Sequence, residues 1–177
     1  MIKYFILLAT LLASTISFGQ SMYSTTTNRV VLSTIVNSDT ILIENRKNNV
    51  RVNGNLDLVE IIYDNQDARI VGRTNQREDR SDIQIKFFNE YLWLDERIKT
   101  TERVLNFKEE LKVEINGMEQ IIPVDFIISR LRGGQGFNVL MEIHGNFSGE
   151  GLEEDFPDLI IDGDIAFGIY LTIQVTQ

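Results

Sequence analysis

Between Phe107 and Phe147 apolar and polar residues alternate regularly enough to predict three antiparallel strands. Leu111, Val113 and Ile115 alternate with Lys112, Glu114 and Asn116, the two-residue period of a strand with one dry face and one wet face. Asn116-Gly117 interrupts the pattern, and Ile122, Val124, Phe126 and Ile128 resume it. The pair predicts a hairpin with Asn-Gly near its turn, because both residues tolerate positive φ. After Gly133-Gly134-Gln135-Gly136 a third run places Phe137, Val139, Met141, Ile143 and Phe147 on one side. Asn138, Glu142, His144, Asn146 and Ser148 fall on the other. The cleanest strand comes last: Ile165, Phe167, Ile169, Leu171, Ile173 and Val175 share a face opposite Ala166, Gly168, Tyr170, Thr172, Gln174 and Thr176. Small residues on that second face predict close backbone packing there.

The first half is less regular. Ser21 to Asn28 is polar and rich in Ser and Thr, and reads as a loose segment. Val30 to Val36 and Thr40 to Glu44 read as strands around the turn residues Asn37-Ser38-Asp39. Val50, Val52, Leu56 and Leu58 share one parity across Asn53-Gly54, which reads as a hairpin turn or as a bulge. Ile61-Ile62 and Arg69 to Val71 carry the β-branched residues of two short strands, and Arg73 to Asp82 is a charged, solvated loop. Ile83, Ile85 and Phe87 open another strand, with Tyr91 to Leu94 as its continuation or partner, and Asp95 to Glu102 is a loop or one helical turn. Eight to ten strands without a long amphipathic helix define an all-β chain: an antiparallel lipocalin-like β-barrel or, alternatively, a curved β-sandwich. Closure into a barrel has the advantage of removing exposed strand edges.

Residues 1–20 read as a secretory signal peptide: Lys3 carries the charge, Tyr4 to Ala13 the apolar run, and Ser17-Phe18-Gly19 the cleavage pattern. That run is shorter than the roughly 20 residues a bilayer span needs. The expectation is therefore an exported protein, periplasmic or alternatively extracellular, with no transmembrane segment after cleavage and a single domain over residues 21–177. The net charge of −9 would repel nucleic acid. With no cysteine, disulfides, thiolate metal sites, cysteine nucleophiles and a lipidated N-terminal cysteine are all excluded. The fold rests on its core alone.

Candidate chemistry is sparse. His144 is the sole histidine and falls mid-strand on the polar face, so it reads as a surface residue rather than a catalytic base, and a zinc site would need mainly carboxylates. The Gly133–Gly136 run lacks the Lys-Ser/Thr and the following helix of a phosphate-binding loop and reads as a turn. Glu150, Glu153, Glu154, Asp155, Asp158, Asp162 and Asp164 form an acidic loop whose spacing does not match the helix-loop-helix calcium pattern. No pair of carboxylates stands out as an acid/base couple, so no enzymatic activity, metal or cofactor is expected.

Leu111-x-Val113-x-Ile115-x-Gly117-Met118-Glu119-Gln120-x-Ile122-x-Val124-x-Phe126 resembles the hairpin of the YceI-like proteins, with Met118 at the hydrophobic turn position. Met141-x-Ile143-x-Gly145-x-Phe147-Ser148, then Asp155-Phe156 and the strand ending Leu171-x-Ile173-x-Val175, follow that family's order, so the resemblance covers about residues 105–177. The family's helical insertion before these strands carries a histidine and paired aromatics, and this chain has neither. The resemblance implies an extended lipocalin-like barrel enclosing a polyisoprenoid or related lipid, and hence noncovalent binding of an amphiphilic or isoprenoid lipid in the apolar interior. Phe107, Leu111, Val113, Val124, Phe126, Val139, Met141 and Ile169 would line it, with the unbranched Met141 suited to an irregular guest. The same side chains would equally fill a solid core. The alternative function is an envelope interaction module without a small ligand, recognising a protein or polysaccharide. The oligomeric state stays open.

Overall fold

The computed structural model describes residues 22–36, 39–53, 58–71, 84–90, 92–131, 137–149 and 163–176. The expected leader, the charged loop from 73, the Gly133–Gly136 turn and most of the acidic loop lie outside these residues. Among the described residues ten strands form one antiparallel sheet: β1 (Met22–Val36), β2 (Asp39–Asn45), β3 (Asn49–Asn53), β4 (Leu58–Asp64), β5 (Arg69–Ile70), β6 (Gln84–Asn89), β7 (Val104–Ile115), β8 (Met118–Leu131), β9 (Phe137–Ser148) and β10 (Asp164–Thr176). Their spatial order is β3-β4-β6-β7-β8-β9-β10-β1-β2-β5, and the sheet curls into a lipocalin-like barrel. A short α-helix, α1 (Leu94–Thr100), lies between β6 and β7, and a single 3-10 turn (Asn65–Asp67) follows β4 among the described residues.

The four long strands of the second half follow their sequence pattern. Asn116 at φ 49° and Gly117 at φ 81° make the two-residue turn between β7 and β8, where Ile115 pairs with Met118. Both central residues have positive φ, the condition for a turn whose twist matches that of the flanking strands. The register carries inward-facing residues from strand to strand in continuous rows. Phe107 pairs with Phe126, Phe126 with Ile143, Ile143 with Ile169, and Ile169 with Val30. One step along, the row runs through Val124, Gly145, Phe167, Leu32, Ile43 and Ile70. Phe87, Phe147 and Phe167 meet inside, with ring centroids 4.9 to 6.2 Å apart.

Three segments differ from expectation. The stretch from Met22 to Asn28 is not loose but the first half of β1, paired with β10. Its alternation is hidden because the register shifts between Thr25 and Thr27, leaving Thr26 as a bulge. Upstream of it Tyr23 and Thr25 sit opposite the inward residues Val175 and Ile173; downstream Asn28 and Val30 sit opposite Leu171 and Ile169. Odd positions face inward before the bulge and even positions after it. Second, the described part of Tyr91 to Leu94 is not a strand. Trp93 turns the chain at φ 48° and Leu94 opens α1, so that Leu92, Leu94 and Ile98 all become fully buried. Third, Gly168 on the outer face of β10 is covered by the ring of Tyr170 from its own strand, not by a neighbouring backbone.

The seam of the barrel is made by side chains. Asn48, just before β3, donates through Nδ2 to Asn28 Oδ1 on β1 at 2.9 Å and to the Asn45 carbonyl at 2.9 Å, while its backbone N–H reaches Asn28 Oδ1 at 3.2 Å. Asn45 Nδ2 donates to the Asp64 carbonyl at 2.6 Å, tying β2 to β4. Among the described residues these amides stand where a closed barrel has a backbone ladder.

Candidate functional site

The barrel interior is built from odd positions of β7, β9 and β10 and even positions of β8. Of the expected lining residues, Leu111, Val113, Val124, Phe126, Val139, Met141 and Ile169 are all buried in the core cluster, and Phe107 is half-buried at its margin. They fall on four consecutive strands and share the concave face. Leu111, Val113, Phe126, Met141 and Ile169 have no solvent-accessible surface at all, so no water-sized void touches them. Side chains fill the space they enclose.

The interior loosens toward the end where β7 begins and β8 stops. There the inward positions are held by partly buried residues: Tyr23, Leu105, Phe107 and Phe137. Phe137 pairs with Val175, and Val175 with Tyr23, so the aromatic pair flanks the end of β10. The helix α1 is strapped across this mouth from opposite walls. The Tyr23 hydroxyl on β1 donates to Asp95 Oδ1, and Arg97 Nη2 donates to Glu109 Oε1 on β7 at 2.5 Å. Asp95 also pairs with Lys99 one turn on, at 2.6 Å.

Two arginines lie on phenylalanine faces at the mouth. The Arg97 guanidinium sits 3.7 Å from the Phe107 ring centroid, and Phe107 in turn stacks on Phe126 at 5.1 Å with the rings nearly parallel. The Arg130 guanidinium lies 3.9 Å from the Phe137 centroid, and Arg130 Nη1 donates to the Thr101 carbonyl at 3.4 Å. Arg97 Nη1 is buried without a hydrogen-bond partner. Glu109 occupies an inward position of β7, opposite Val124. Sequence reasoning missed Arg97, Arg130 and Glu109, because charged residues on an inward parity are legible only once the partner strand and the helix are in place.

His144 stands on the outer face, its ring edge against Tyr170 at 5.5 Å and its Nε2 3.5 Å from Glu142. Among the described residues no three His, Cys, Asp or Glu side chains gather as a metal site, and no helix is long and apolar enough to cross a membrane.

No family model matches the sequence, and no curated protein does either. The similarity lies in three dimensions: the chain superposes on a polyisoprenoid binding domain from Saccharophagus degradans, implicated in plant cell wall breakdown, with a TM-score of 0.58 at 8% identity. The match covers 86% of this chain and 97% of that one, and it establishes the fold they share.

Proposed function

We propose that the protein binds an apolar or amphiphilic lipid of the isoprenoid class noncovalently, through the concave face of its barrel and the mouth bearing α1. The observation that carries the reading is the continuous path Arg97–Phe107–Phe126, which leads from a partly exposed rim of ion-paired side chains into a predominantly apolar interior. An amphiphile needs that gradient: an apolar lining for its tail and polar groups only where the tail ends. The polyisoprenoid-binding neighbour supports the same class of ligand. Because the interior is filled, uptake requires α1 with Leu92, Leu94 and Ile98 to withdraw. Side-chain contacts to the walls, among them those through Tyr23, Arg97 and Arg130, hold the helix over the mouth. Export to the periplasm belongs to this reading, since the expected leader precedes a domain without cysteine.

A second reading, an interaction module without a small ligand, draws on two observations: the filled interior, and the exposed Ile35, Leu42 and Val71 along the β1–β2–β5 margin. One experiment separates the two. The purified protein is incubated with a long-chain prenol and examined by native mass spectrometry, with organic extraction of the untreated sample. A stoichiometric adduct is expected; a clean apo mass with no uptake refutes lipid binding and leaves the interaction module.

A further inference from the structure

On the outside of the barrel, away from the mouth, three arginines from separate places in the chain converge on one carboxylate. Glu44 on β2 is 3% exposed although its position faces outward. Arg29 Nε of β1 approaches Glu44 Oε1 at 2.6 Å, and Arg46 Nε reaches the same oxygen at 2.8 Å. Arg69 of β5 takes the other oxygen through Nη2 at 2.7 Å and Nε at 3.1 Å. A single bidentate arginine would satisfy a carboxylate. Here Arg69 gives both its donors to Oε2 alone, and Arg29 and Arg46 share Oε1, so three guanidiniums are gathered on one negative charge. Both engage Glu44 through Nε, the nitrogen nearest the chain, which leaves the two terminal nitrogens of each guanidinium for another acceptor. Within these four residues two positive charges are in excess, in a chain whose net charge is −9, and Glu142 stands beside Tyr170 on the same outer face.

Arg29 and Arg46 also form the wall of a groove of about 480 Å³ beside this cluster. Thr26, Leu140, Tyr170 and Thr172 also line it, with the Thr26 hydroxyl donating to the Thr172 carbonyl at 3.2 Å. Its volume falls within the range of small-molecule sites. Arg29 is further fixed by the Tyr170 ring, 5.5 Å from its guanidinium carbon. Glu44 thus acts as a post that holds two arginine forks in place before any ligand arrives, and Arg69 compensates the post's own charge. Preorganised forks suit a tetrahedral dianion, whose charge matches the excess within the cluster.

We propose that this groove is a binding site for a phosphoryl group, in the form of a phosphate monoester, independent of the barrel interior. The chemistry is shared by a soluble phosphorylated metabolite and by a lipid headgroup that ends in a phosphate monoester, and the test separates the two sources. Chemical-shift changes of the groove amides are titrated with inorganic phosphate and with glycerol phosphate. Sedimentation with vesicles containing phosphatidic acid, against pure phosphatidylcholine, covers the headgroup. Saturable binding in either arm supports the site and identifies its source. Arg46→Gln is expected to weaken binding about tenfold, the effect of losing one charged fork, with Thr172→Val as a second groove variant that leaves the ion cluster intact. Arg51→Gln, on the exposed surface of β3, should change it less than about twofold by the weak influence of a screened surface charge. Absence of saturation in both arms, or equal effects of Arg46→Gln and Arg51→Gln in variants that retain the wild-type urea midpoint, overturns the proposal.

Discussion

The ring of Phe167 lies across Gly145, its register partner on the adjacent strand, so closely that a Cβ at Gly145 would meet two ring carbons at 3.0 Å and Val124 Cγ1 at 2.7 Å. All three positions belong to one inward row, and the missing side chain makes room for the aromatic cluster of Phe87, Phe147 and Phe167. Gly145→Ala is therefore expected to destabilise the fold by about 1–3 kcal/mol, the range for overpacking a filled core. Gly168→Ala is the control. Its added methyl meets the end of the Tyr170 side chain at 2.9 Å on the outer face, and that side chain can swing away. Urea midpoints of the two variants should differ clearly, and equal midpoints would contradict the row described above.

Glu44 predicts a specific pH dependence. Burial pushes its carboxyl up, but hydrogen bonds from Arg69 and Arg46 and the charge of Arg29 outweigh that and hold it below the ordinary value of 4.5. A carboxyl depressed in the folded state contributes stability that is fully present above the unfolded value and declines as pH falls through the folded one. The wild type should thus lose stability below about pH 4.5 more steeply than Glu44→Gln. At neutral pH that variant should be less stable by about 1–3 kcal/mol, since it leaves three guanidiniums without their anion, all partly solvated. Urea titrations at a series of pH values measure both effects.

Asn48→Ala tests the seam. The substitution removes two donated hydrogen bonds, to Asn28 Oδ1 and to the Asn45 carbonyl, and should cost about 1–3 kcal/mol. The loss should be local before it is global. Amide hydrogen exchange is expected to accelerate in the edge strand β3 while β8 and β9, paired on both sides, stay protected.

Arg97→Ala removes the α1 contact to Glu109 on β7 together with the cover of Phe107. Its cost to global stability should be small, about 1 kcal/mol, because the pair is partly solvated. Exchange of the α1 amides should rise more than that of the sheet. If the helix guards the mouth, prenol uptake in this variant should also be faster than in the wild type, measurable by stopped-flow quenching of Trp93, which is exposed beside the helix.

The back half of the barrel was legible because its strands are two-periodic, long and bounded by residues with turn chemistry. The register between Phe107, Phe126, Ile143 and Ile169 follows once the Asn116-Gly117 turn is accepted. The front of the chain was not, for identifiable reasons. The Thr26 bulge breaks the period of β1, and a helix of seven residues, shorter than isolated helices that hold together in water, leaves no readable stripe. Leu92, Leu94 and Ile98 are core residues only because Trp93 reverses the chain between them. Of the site, the inward positions of the apolar residues could be read from parity. The charged ones could not: Glu109 shares the parity of Leu111, and nothing local says that Arg97 will arrive to meet it. Glu44 likewise reads as the polar end of a strand until Arg29, Arg46 and Arg69 are assembled around it.

The unmatched Thr26 has a consequence for how this wall tolerates change. In a strand with a strict period of two, losing one residue swaps inside and outside for everything beyond it. At Thr26 the surplus is already present, so a chain lacking that residue regains a regular β1 in which Tyr23 and Val30 keep their present sides. The first strand therefore owns a joint at which its length can vary by one without turning the molecule inside out.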